Sequence, residues 1–390
     1  MKILVIGSGA VASVLSHYLS KDKNISEAVF TSRDLNTARK FIKTNKKIHL
    51  ARLDASKIQD IINLAKGKDL IINASLPALN ENVMKAALEV NANYQDLGSF
   101  LKDSKTVNQL KYHQKFKKAG LIGLIHAGIA PGITNVLAGN IAEKLDSINE
   151  IKIRFLEEQD STKFVPSWSI KTTVDELVFS SLEYSNNHFK YVKPLGDVEE
   201  YEFPKPYGKK KVSNILGDEV STIPLYIKTK NVNLKSGGSD IDVPGVLYNM
   251  GLLSKKPIII GNKKIIPQEL IFKIFPRVPS PKEMSLLIKK GIIKNSIFIS
   301  VVEGIGKKSW RKVRIKSTVI YPDLIQINKR FKGATYISYP TGMAVYAFAK
   351  NIPKIKEYGI FPPEALSYEI RNAIISEIRK RGIVIKTTTS

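Results

Sequence analysis

No cysteine occurs in the 390 residues. That excludes disulfides, zinc-thiolate sites, iron–sulfur clusters and a cysteine nucleophile, so any redox chemistry must come from a bound group. The five histidines, His17, His49, His113, His126 and His188, include no pair spaced to share a helix face, and no metal site is expected. Long apolar runs are also missing. The longest uncharged stretch, 119–142, holds five glycines and Pro131, which divide it into a strand, a turn and a helix start instead of a membrane span. The apolar N-terminus is broken by Gly7-Ser8-Gly9, so no signal core is expected. The expectation is a cytoplasmic protein with no membrane partner. Acidic residues are outnumbered, 35 against 61 lysines and arginines, a net charge of +26. The lysine pairs are spread along the chain, and the run Lys209-Lys210-Lys211 has no interleaved aromatics. We read a solvated surface and no nucleic-acid partner.

What is present begins at the N-terminus. Residues 1–6 form a short apolar strand that runs into Gly7-Ser8-Gly9-Ala10-Val11-Ala12, a G-x-G-x-x-A turn followed by helical periodicity at Val14, Leu15, Tyr18 and Leu19. Gly7 suits the tight strand-to-helix turn, Gly9 lets backbone approach a pyrophosphate, and small Ala12 allows close packing of helix on strand. A second strand at 27–31 ends in Ser32 and Arg33, where an acid would grip the 2′-hydroxyl of NAD. An arginine beside a hydroxyl favours the 2′-phosphate of NADP, with NAD as the other possibility.

Alternating strands and helices continue to residue 126, with a helix expected at about 35–44 and strands at 69–75, 91–99 and 121–126; this is the pattern of a doubly wound parallel sheet. The carboxyl ends of its strands supply Asp54, Ala55, Ser75, Pro77, Asp96, Ser99 and His126. The first four join the cofactor set of Gly7, Gly9, Ala10, Val11, Ala12, Ser32 and Arg33. Asp96 and His126 are the candidates for moving a proton, with Ser99 as a nearby donor on the substrate side. From about residue 150 the pattern becomes alternating strands, at 151–155, 225–229 and 297–302, as in a mostly antiparallel sheet. Residues 343–350 and 363–381 return to helix. Asp175 and Glu176 read as the solvated face of a helix. The two-domain count agrees with the chain length.

Gly128-Ile129-Ala130-Pro131-Gly132-Ile133-Thr134-Asn135, Ser167-Trp168-Ser169, Tyr339-Pro340-Thr341-Gly342 and Gly359-Ile360-Phe361-Pro362-Pro363-Glu364 resemble, in order and separation, landmarks of the saccharopine dehydrogenase-like family, in its saccharopine reductase and lysine 6-dehydrogenase branch. The resemblance implies an α/β fold in which an N-terminal Rossmann sheet (1–127) is completed by C-terminal helices (338–390), with an inserted α+β domain (128–337) for substrate and dimerisation. It implies hydride transfer at the C–N bond of an amino acid through an imine. It also implies substrate contacts at Pro131, Gly132, Asn135, Trp168 and Ser169, and a homodimer. Two departures stand out: Ala130 replaces an aspartate of saccharopine-forming members, and Lys235-Ser236-Gly237-Gly238-Ser239 stands where their carboxylate-binding Arg-Tyr-Pro-Gly-His motif lies. Lysine lacks the arginine fork. Two other readings stay open: a carboxynorspermidine dehydrogenase-like polyamine enzyme, for which an added amine favours acidic pocket residues, and a dinucleotide-binding sensor without turnover.

Overall fold

The computed structural model describes residues 1–100 and 105–390. Lys2–Ile6 (β1) is aliphatic on both faces and buried after its first residue, which suits the centre of a parallel sheet covered on both sides. Around it stand Glu27–Ser32 (β2), Ile48–Arg52 (β3), Leu70–Asn73 (β4), Asn93–Asp96 (β5) and Ile122–Leu124 (β6), in the order β3-β2-β1-β4-β5-β6. A seventh strand, Gly359–Phe361, lies outside β6, and all pairings are parallel. The strand order reverses between β1 and β4. A crevice therefore opens at their carboxyl ends, where the helix Ala10–Lys21 begins.

A second sheet takes the path Glu199–Phe203, Gly208–Asn214, Asn231–Gly237, Ser147–Ser161, Ile293–Lys308, Arg311–Ile320 and Val384–Thr389. Ser181–Ser185 and His188–Val192 branch from it. Only Asn231–Gly237 beside Ser147–Ser161 is parallel among the described pairs, so the sheet is mostly antiparallel as expected.

Three expectations need correction. The helix expected at 35–44 stops at Ala38, because Asp34 caps only a single turn and the chain then bends to bring Phe41 to the crevice. The strand expected at 225–229 is instead the end of the helix Asp218–Tyr226 and the bend at 227–229. Burial of Val220 and Ile223 on that helix outweighs the β-like composition and the interior Pro224. The C-terminal segment, expected as helices alone, ends in the strand Val384–Thr389, which pairs with Arg311–Ile320 in the second sheet.

Three helices stand where the chain passes between the sheets: Ile133–Ala142, Ser338–Asn351 and Tyr368–Arg379. Arg371, buried on the third of these helices, ties it to the first. Its Nε donates to Asn140 Oδ1 (2.9 Å), and a terminal nitrogen pairs with Glu143 (2.6 Å). The core is continuous through this junction, with Val5, Leu15, Ile153 and Val302 in one cluster. Among the described residues no helix is long and apolar enough to cross a membrane.

Ser338–Asn351 lies directly on Ala10–Lys21, with Tyr18 Oη donating to Tyr339 Oη (3.1 Å). A Cβ on Gly342 would sit 2.7 Å from both Val11 O and Val14 Cβ. We expect Gly342→Val to cost about 1–3 kcal/mol by overpacking and to push the dinucleotide turn out of place. Thermal unfolding and NADPH titration should therefore worsen together; a variant as stable as the parent would show that this contact does not hold the first helix.

Candidate active site

The turn after β1 is built for close approach. Gly7 has φ +116°, and a Cβ there would lie 2.7 Å from the Ala74 carbonyl oxygen, so a side chain is excluded. A Cβ on Gly9, by contrast, would meet nothing within 4 Å. Gly9 is the N-cap of Ala10–Lys21, which has neither a side-chain cap nor an acid in its first turn. The free N–H groups of Ala10, Val11 and Ala12 are left for an anion, and a pyrophosphate fits the space in front of them.

Ser75 and Pro77 line the facing wall beyond β4. At the end of β2, Arg33 is exposed and Ser32 Oγ donates to the Asp34 carbonyl (2.9 Å). Asp54 Oδ1 accepts from Ser56 Oγ (2.8 Å) and Ser56 N–H (3.1 Å). These bonds, and then Lys57 and Arg33, hold its carboxyl below the usual range. Two cations around one carboxylate leave this corner positive, as a 2′-phosphate requires. Ala55 contributes only buried wall, its carbonyl accepting from Asn82 Nδ2 (3.2 Å).

From this turn a cavity of about 470 Å³ runs past Ser75 and Ser99 to Phe155 and Phe298 on the second sheet. Among the described residues its charged lining is Glu157, Asp175, Glu176, Asp218 and Glu219, against the single cation Lys171, whose Nζ is already 2.5 Å from Asp175. In a chain of net charge +26 this reversal of sign is highly specific. Burial pushes Glu157 and Glu219 up to about 7 and Asp218 to about 8. Glu176 is driven well above the carboxylate range, first by burial and then by repulsion from Glu157, Asp218 and Glu219. Among the described residues no three potential ligands are grouped to hold a metal ion.

The expected proton carriers lie behind this wall. Asp96 is fully buried, accepting the His126 N–H (2.9 Å) on Oδ1, and Tyr94 Oη (2.8 Å) and Gln109 Nε2 (3.1 Å) on Oδ2. Its carboxyl, raised to about 6 by burial, is occupied in holding the end of β5. His126 is fully buried at φ +59°, and burial lowers it to about 3, so its ring is neutral. Neither residue lines the cavity. Ser99 does: its hydroxyl is 2.6 Å from His126 Nε2, and its N–H donates to Asp218 Oδ2 (2.7 Å). Asp218 is therefore the acid presented to the cavity at this end, a residue the sequence reading did not single out.

Among the expected substrate residues, Pro131, Trp168 and Ser169 line the cavity, and Ser169 also caps the helix Ile170–Val178. Gly132, Asn135 and Lys235 do not. Gly132 N–H donates to Asn135 Oδ1 (2.9 Å), while Asn135 Nδ2 reaches Glu364 (3.0 Å), so both are used in starting the helix Ile133–Ala142. Lys235 is buried against Asp197 (2.7 Å) and Glu199 (3.1 Å), away from the cavity; an ammonium enclosed there needs those anions and is not offered to substrate. Glu176, read as part of a solvated face, points into the cavity instead. No local pattern marks the acidic wall, because its members come from three distant segments.

Residues 3–124 match the model of the saccharopine dehydrogenase NADP binding domain, and 128–383 that of the saccharopine dehydrogenase C-terminal domain. Carboxynorspermidine synthase of Vibrio alginolyticus is 26% identical over 310 residues, covering 73% of this chain and 74% of that protein. Carboxyaminopropylagmatine dehydrogenase of Synechocystis sp. is 23% identical over 295 residues, 72% of this chain and 74% of the relative. The apo saccharopine dehydrogenase (L-Glu forming) of Saccharomyces cerevisiae shares the fold, with a TM-score of 0.73 at 16% identity over 100% of this chain and 99% of the other.

Proposed function

The chain belongs to the saccharopine dehydrogenase family, and on that premise we propose that it is an NADP-linked oxidoreductase forming a C–N bond between an amino acid bearing an aldehyde and a polyamine-type substrate. The observation that carries the choice of substrate is the acidic cavity: five carboxylates and one neutralised lysine receive ammonium groups. A saccharopine-like substrate, rich in carboxylates, would meet repulsion there and, among the described residues, no free guanidinium or ammonium.

In this reading the amine adds to the aldehyde, water leaves, and the C=N product takes up a hydride at carbon and a proton at nitrogen. Bound NADPH supplies the hydride. Asp218, with its carboxyl raised to about 8, is protonated at neutral pH and lies in the cavity to give the proton. Ser99 orients it through the backbone N–H, and neutral His126 fixes the Ser99 hydroxyl. Trp168, Phe155 and Phe298 exclude water from the imine. A cytoplasmic homodimer is part of the same proposal.

NADPH oxidation followed at 340 nm tests it. We expect turnover with 1,3-diaminopropane plus aspartate semialdehyde at least about tenfold above that with lysine plus 2-oxoglutarate, since one unmatched charge costs that much. Faster oxidation with the second pair would return the enzyme to the lysine branch, and tight NADPH binding with no oxidation would make it a sensor.

A further inference from the structure

The cavity acids come from three separate segments of the chain. Asp218 is held by the Ser99 N–H just beyond the carboxyl end of β5. Glu176 lines the same cavity and also shares a small recess with Glu157 and Asp240. Glu157, on the second sheet, accepts from Ser236 Oγ (2.9 Å). The same cavity has apolar walls at Phe155, Trp168, Ile215 and Phe298. Acids with hydrocarbon wall beside them are the complement of a methylene chain with a nitrogen at each end, and an ammonium brought to a raised carboxyl favours its ionised form.

Glu157 and Glu176 stand together at the end of the cavity where this recess opens, beside Ser167 and Trp168, and Glu157 is the first of the charges that repel the Glu176 carboxyl. Asp240 does not line the main cavity, and its Oδ2 accepts from both Tyr336 Oη and Ser167 Oγ (2.8 Å).

Taking the polyamine reading above as its basis, we propose that Glu157 and Glu176 form a specificity pair that binds the distal ammonium of an α,ω-diamine, while Asp218 serves the reacting nitrogen. The pair selects diamines over monoamines and sets the preferred chain length. It stands apart from the chemistry, so its loss appears in binding and not in the chemical step.

Calorimetric titration of the NADP⁺-loaded protein with propylamine, 1,3-diaminopropane, 1,4-diaminobutane and 1,5-diaminopentane is the test, run on the parent, Glu157→Gln and Glu176→Gln. The parent should bind its best diamine about 100-fold more tightly than propylamine, the worth of one charge-assisted hydrogen-bonded contact or two. Each variant should lower diamine affinity about tenfold and leave propylamine unchanged. In turnover the loss should fall on KM with kcat retained. Unaltered NADP⁺ affinity shows that the variants are folded.

Equal losses for monoamine and diamine would overturn the assignment, as would a parent that does not distinguish them. Failure of the underlying reading looks different: diamines would bind with the expected preference, but no aldehyde would lead to NADPH oxidation.

Discussion

Gly9→Val weakens NADPH binding about 100-fold or more while moving the melting temperature by no more than about 2 °C, because the lost interactions are with ligand and not with protein. The two glycines of the turn separate these effects. At Gly7 a side chain collides with the Ala74 carbonyl and the φ of +116° is forbidden to it, so substitution there damages the fold itself. At Gly9 the backbone, φ −86° and ψ −159°, is open to any residue, and the Cβ points into empty space. That space is where phosphate oxygens must come to reach the N–H groups of the first helical turn. The valine methyls occupy it at the cost of a slightly poorer N-cap. Fluorescence titration with NADPH and a thermal melt of the same sample check the result. A large fall in melting temperature, or unchanged affinity, would mean that the dinucleotide approaches elsewhere.

Glu176→Gln gives a protein more stable than its parent at about pH 8.5 and a poorer binder of diamines, by about tenfold. A carboxyl whose folded value is raised binds more protons in the folded than in the unfolded state. Stability is therefore lost as pH rises from the usual carboxylate range near 4.5 towards the folded value. Glu157 and Glu219 at about 7 and Asp218 at about 8 add to the same slope, so the ligand-free parent should melt at a lower temperature at about pH 8.5 than at about pH 6. Removing Glu176 flattens that slope. The gain from glutamine should shrink at about pH 5.5, where the parent's carboxyl is already protonated. A given concentration of diamine should raise the parent's melting temperature more than the variant's. A variant less stable at both pH values would show that the carboxyl anchors the fold. The expected outcome is an exchange of stability for affinity, common where binding sites hold uncompensated charge.

Which parts of this molecule were legible depends on the distance over which each is encoded. Gly7, Gly9 and Ala12 act within a single turn, and their roles are written in a few consecutive letters. The parallel strands around them were equally plain because both faces are apolar. The segment 225–229 misled because its β-branched composition is local, whereas the burial of Val220 and Ile223 that makes helix there is tertiary. Asp96 ends its strand as expected, whereas β6 stops at Leu124 and His126 lies beyond it; both side chains are fully buried, and a residue at a strand's end can turn either way. Lys235 occupied the expected position in the chain, but its side chain leaves the sheet on the side of Glu199. Glu157, Glu176 and Asp218 meet only after three separate elements have packed, and nothing in the order of residues along the chain records that meeting.

The three helices at the junction of the sheets have a mechanical consequence. Every passage of the backbone from one wall of the crevice to the other goes through those three helices, the first and third of them tied by Arg371. The walls are thus bound along one edge, like the covers of a book along its spine. Any opening of the crevice is therefore expected as a rotation, widest at the margin opposite the helices and smallest beside them.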